Sequence, residues 1–74
     1  MPEKQLALII ARLKELRCQK GLSHEMLAKK AGISRPAISH IENGRRKPSL
    51  MICLKIAHAL EVDLSDLIRE IEKD

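Results

Sequence analysis

The sequence predicts an all-α domain built from five short helices. Apolar residues recur at three- and four-residue steps along most of the chain, hydroxyl, acidic and glycine residues punctuate those runs where helices start and stop, and no stretch alternates as a half-buried strand would. The 74 residues make one domain, 1–74, close to the size at which a single core is only just sufficient. With no Phe, Tyr or Trp, the core must be filled by Leu, Ile, Val, Ala, Met and Cys, and a hydrophobic content of 45% favours a folded chain over a disordered one.

The first helix is expected from about Glu3 to Gln19, with Leu6, Ile9, Ile10, Leu13 and Leu16 on its inner side and Gly21 closing it. Ser23 offers an N-cap hydroxyl to a second helix, HEMLAKKA, whose inward residues are Leu27, Ala28 and Ala31. Its N3 residue is Met26, so the reciprocal capping box is absent. Gly32 breaks the helix, Ile33 points back inward and Ser34 caps a third helix that carries Ile38 and Ile41 toward the core. Pro36 falls in the first turn, where its missing N–H has no intrahelical partner to lose. Asn43-Gly44 closes that helix and RRKP makes a basic loop. Ser49 then caps LMICLKIAHALE, with Leu50, Cys53, Leu54, Ala57 and Leu60 as its inward stripe. Asp63 caps a fifth helix that presents Leu64, Leu67, Ile68 and Ile71 on one side.

Composition removes several function classes. The absence of aromatic rings argues against RNA modules that stack bases, while duplex recognition survives. LALIIA and LMICL are far shorter than the roughly 20 residues a membrane span needs, and no signal-peptide pattern precedes the first, so a cytoplasmic location and no membrane partner are expected. Cys18 and Cys53 stand apart and read as small buried hydrophobes. Neither they nor His24, His40 and His58 have metal-ligand spacing, so no metal, cofactor or small-molecule ligand is expected. Catalytic residues are expected to be none: Ser39 and His40 are adjacent on a helix, point in different directions and lack an orienting acid.

Net charge is +4, and its distribution says more than its sum. From Lys20 to Lys47 seven basic residues face two acidic ones, whereas from Ile56 to Asp74 two basic residues face six acidic ones. A basic middle and an acidic tail suit a molecule with one face turned to a polyanion.

The segment HEMLAKKAGISRPAISHIEN has a small Ala28 where two helices must approach, Gly32 at the turn four residues on, and Ile38 and Ile41 to anchor the second helix. It resembles a helix-turn-helix. Gly21-Leu22-Ser23, Leu27-Ala28, Ala31-Gly32-Ile33-Ser34, Ile38, Ile41-Glu42, Gly44 and Pro48-Ser49-Leu50 together resemble the Cro/repressor (XRE-type) family over almost all of Arg12 to Ile68. The resemblance implies a compact, lambda-repressor-like five-helix domain that binds double-stranded DNA.

Under that resemblance the helix at about 34–43 enters the major groove, which is wide enough for one α-helix and displays a distinct donor and acceptor pattern for each base pair. Arg35, Pro36, Ser39 and His40 are its base-contacting candidates; the planar fork of Arg35 can take the O6 and N7 of guanine together. His24, Ser34, Asn43, Arg45, Arg46 and Lys47 are candidates for phosphate. His24 stands where the family usually carries a glutamine that holds a phosphate, and a neutral histidine has one hydrogen bond to donate there. Arg17 and Glu42 match positions that form an ion pair in repressors of this type.

The expected function is a transcription regulator, a repressor by occupancy in its simplest form. Restriction-modification controllers and antitoxins share the same minimal architecture, and a protein-interaction adaptor could use the same helices. A homodimer is expected, with Met51, Ile52 and Ile56 as its interface because they flank or oppose the inward stripe of the fourth helix.

Overall fold

Helix starts are decided locally. In the computed structural model, which describes residues 2–73, five helices follow in order: α1 (Pro2–Gln19), α2 (His24–Ala31), α3 (Arg35–Glu42), α4 (Leu50–Ala59) and α5 (Leu64–Glu72). Ser23, Ser34 and Ser49 each accept a backbone N–H three residues on, from Met26, Ala37 and Ile52, at 3.1–3.2 Å. Asp63 caps α5 by accepting from the Ser65 N–H and hydroxyl at 3.2 and 2.8 Å. Each cap satisfies a donor that a helix N-terminus otherwise leaves open.

The turn between α2 and α3 is set by Gly32, whose φ of +71° lies in the left-handed region where a side chain is strained. Its N–H and that of Ile33 both donate to the Ala28 carbonyl, at 2.9 and 3.1 Å, which ends α2 and turns the chain into α3. At the end of α4 the same left-handed bend falls on Glu61, with φ +60°, and no glycine is there. Helix α4 therefore stops at Ala59, two residues short of the expected end, while the Val62 N–H closes the bend on the Ala57 carbonyl at 3.0 Å.

Helix α2 packs on α3 and α4, α1 on α3 and α5, and α4 on α5. Their shared core is aliphatic: Leu13, Leu27, Ala28, Ala31, Ile38, Ile41, Cys53, Ile56, Ala57, Leu60, Leu64 and Leu67 are all buried. Leu27, Ile38 and Leu60 are the largest side chains almost wholly removed from solvent. The resulting body measures 31 × 24 × 20 Å.

Three inward expectations change. The buried stripe of α4 is Cys53, Ile56, Ala57, Ala59 and Leu60, while Leu50 and Leu54 are 69% and 45% exposed. Relative to the expected stripe the helix is rotated by roughly 70° at about 100° per residue. The physical reason is that LMICL is apolar all round, so its own pattern does not select a face and packing against α2 and α5 does. Ile56 is consequently a core residue, 4% exposed, and is withdrawn from the expected dimer interface; Ile52 also packs partly against the core, and Met51 is exposed. Ile68 is on the exposed flank of α5. Cys53 is buried, which raises its thiol pKa by desolvation, but Cys18 is exposed on α1 and contributes nothing to the core.

Candidate nucleic-acid interface

Helix α3 divides sharply along its length. Ala37, Ile38 and Ile41 are buried against the rest of the domain, so Arg35, Pro36 and His40 are left exposed and Ser39 half-exposed. Arg35 and Pro36 form the first turn, and no acidic residue stands there to oppose the positive end of the helix dipole. His24, at the start of α2, joins Arg35, Pro36, Ser39 and His40 around one shallow surface depression. The close approach of α2 and α3 thus brings together five of the expected contact residues, from two elements, on one side of the molecule.

The basic loop is tied to the same edge. The Arg45 and Arg46 N–H groups donate to the His40 carbonyl at 2.9 and 3.2 Å, which folds the loop back against the end of α3. Arg45, Arg46 and Lys47 are exposed, and neither they nor Arg35 have an ion-pair partner among the described residues. Four cations without internal partners at one edge make a surface complementary to a polyanion.

Two expected contacts also have structural duties. The Ser34 oxygen accepts from the Ala37 N–H at 3.2 Å, which leaves its hydroxyl hydrogen available to an outside acceptor. Asn43 donates from its side chain to the Ser39 hydroxyl at 3.5 Å, a long contact that holds it close to the helix.

Behind this face sits an ionic cluster. Arg17 donates to both oxygens of Glu42, Nε to Oε2 at 2.8 Å and Nη2 to Oε1 at 3.0 Å, and its Nη1 donates to the Leu22 carbonyl at 2.7 Å. This bidentate geometry ties the end of α1, the loop before α2 and the end of α3 together. His24 Nε2 meets Glu42 Oε1 at 2.9 Å. Burial pushes the Glu42 carboxyl upward, but hydrogen bonds from Arg17 and then His24 outweigh it and hold the carboxyl below its ordinary value. The hydrogen bond to Glu42 in turn raises Arg17. The family resemblance alone paired Arg17 with Glu42; the third member, His24, is 18 residues from Glu42 and has no signal in the chain that would join them.

Comparisons with known proteins agree with this geometry. The helix-turn-helix family profile matches residues 13–67. An HTH-type transcriptional regulator of Archaeoglobus fulgidus is 39% identical over 56 residues, 76% of this chain and 80% of its own. The control protein C.MunI of a Mycoplasma species is 42% identical over 64 residues, 85% of this chain and 86% of its own. Among solved structures, the restriction-modification controller protein C.AhdI from Aeromonas hydrophila superposes with a TM-score of 0.77 at 38% identity, over 88% of this chain and 97% of that one. With the helix-turn-helix, its outward-facing second helix and these relatives in agreement, the chain belongs to the XRE-type helix-turn-helix family of DNA-binding transcription regulators.

Proposed function

We propose that the protein is a sequence-specific regulator that binds a two-fold symmetric operator as a homodimer, with α3 of each protomer in the major groove. The observation that carries this reading is the shared depression of His24, Arg35, Pro36, Ser39 and His40, flanked by the unpaired cations of the Arg45–Lys47 loop. Arg35 reads a guanine from the first turn; Ser39 and His40 reach base edges one turn further in; Ser34, Asn43 and the loop hold phosphates on either side.

The dimer is supported by the apolar surface left outside the core. Leu50, Met51 and Leu54 are 69%, 61% and 45% exposed and lie together on one side of α4. A second copy docked there removes them from water, at roughly 1.5–3 kcal/mol per side chain fully buried. Two-fold pairing also sets two α3 helices about 34 Å apart, one turn of duplex, so that a short reading helix is used twice. Occupancy of a promoter by such a dimer represses it. The likeness to C.MunI and C.AhdI, matched over most of each chain, favours control of a restriction-modification system over an antitoxin role.

Selection of sites from random duplexes tests the proposal. The wild type should enrich a symmetric sequence, and Arg35→Ala should lose preference at one base pair in each half-site, a cost of about 1–3 kcal/mol. A protein-interaction adaptor would enrich no sequence, and uniform weakening by Arg35→Ala would make that residue a phosphate contact.

A further inference from the structure

We infer that His24 contacts a DNA phosphate only as an imidazolium, so that duplex binding by this chain takes up a proton at His24. The inference rests on the DNA-binding reading above and adds a chemical condition to it. A carboxylate has no hydrogen to give, and the Glu42 carboxyl is ionised under Arg17. The 2.9 Å contact between Glu42 Oε1 and His24 Nε2 therefore requires the hydrogen to be on Nε2. A neutral imidazole carries one such hydrogen, which leaves a bare lone pair on Nδ1.

Nδ1 has no hydrogen-bond partner among the described residues and is not one of the buried unpaired polar atoms, so it keeps contact with solvent, and His24 itself lines the depression with Arg35, Pro36, Ser39 and His40. Phosphate oxygens are also acceptors only. A neutral His24 thus presents a lone pair to a lone pair, and the contact forms only when a second proton occupies Nδ1. The single donor that a neutral histidine was expected to offer the backbone is already committed to Glu42.

The charged and titratable groups beside the ring are Glu42 of α3 against Nε2, Arg17 of α1 on the far side of Glu42, and Arg35 and His40 of α3 around the depression. An arriving polyanion adds negative charge near the ring, and negative charge favours a cation beside it. Affinity is then higher at low pH, where both ring nitrogens carry a proton, and lower at high pH, where Nδ1 does not.

A short duplex of arbitrary sequence is the suitable probe, because a phosphate contact does not depend on the base pairs. At fixed salt, the wild-type association constant should fall as pH rises across the general range in which histidines change charge, about pH 5 to 8, by at most about tenfold per pH unit per protomer. Its log–log salt dependence should be shallower at the higher pH by about 0.9 per protomer. His24→Gln carries two hydrogens on its amide nitrogen at every pH, one for Glu42 and one for phosphate, and should bind with the His24 part of the pH dependence removed and equal salt slopes at both pH values. His40→Gln should keep the pH dependence and the change in salt slope. A flat wild-type profile, a full wild-type slope in His24→Gln, or loss of the slope in His40→Gln overturns the inference. Failure to bind any duplex at any pH overturns instead the DNA-binding reading beneath it.

Discussion

Glu42 shows how much of this interface is decided by single side chains behind it. Only 8% of its side chain is exposed, it accepts three hydrogen bonds from Arg17 and His24, and its negative charge is thereby kept off the exposed face of α3. Because its folded pKa lies below the ordinary glutamate value of 4.5, the stabilisation is present above about that pH and is lost as pH falls through the folded value. Glu42→Gln should therefore destabilise the domain by on the order of 3 kcal/mol at neutral pH, since it leaves the Arg17 guanidinium half-buried without its counter-charge. The deficit should shrink below about pH 4.5, where the wild type loses the same contribution. Urea unfolding at neutral and acid pH measures both values; a deficit constant across that range would mean that the carboxylate charge is not what stabilises the fold.

Helix ends are the element-scale counterpart. Gly32 takes its left-handed bend freely, and a Cβ added there would touch nothing within 4 Å, so the requirement at this turn is one of backbone conformation rather than space. Glu61 makes a bend of the same hand with a side chain present, φ +60°, at a cost of about 1–2 kcal/mol for an ordinary L-residue. Glu61→Gly should accordingly stabilise the protein by about 1 kcal/mol, the conformational relief being offset in part by the added freedom of the unfolded chain. Thermal unfolding reads this as a higher Tm. A lowered Tm would mean that Glu61 contributes a contact worth more than its strain.

For the whole molecule, the orientation of α4 determines which surface is left for a partner. Leu54 lies on the exposed side, beside a groove also lined by His58, Glu61 and Val62, whereas Ile56 is 4% exposed in the core. Under the proposed dimer, Leu54→Glu should give a domain of unchanged helicity that sediments as a monomer and loses roughly 100-fold or more in operator affinity, because linked binding to two half-sites is lost. Ile56→Glu should instead unfold the domain by burying a charge. A wild type that is monomeric at high micromolar concentration, or a dimeric Leu54→Glu, would remove this face of α4 as the interface.

What the amino-acid sequence determined by itself is what depends on neighbours along the chain. The five helices, the serine and aspartate caps, the turn at Gly32 and the division of α3 into Ile38 and Ile41 inside and Arg35 and His40 outside follow from residue types a few positions apart, whose hydrogen bonds and periodicity are local. The rotation of α4, the exposure of Cys18, the left-handed Glu61 and the link from His24 to Glu42 were left to the tertiary structure. An all-round apolar helix has no phase of its own until α2 and α5 pack on it, and a glutamate does not mark a left-handed bend. The ionic cluster joins side chains 18 and 25 residues apart, which no local pattern brings together. That the Nε2 of His24 is already taken by Glu42 arises only once α1, α2 and α3 have folded against one another.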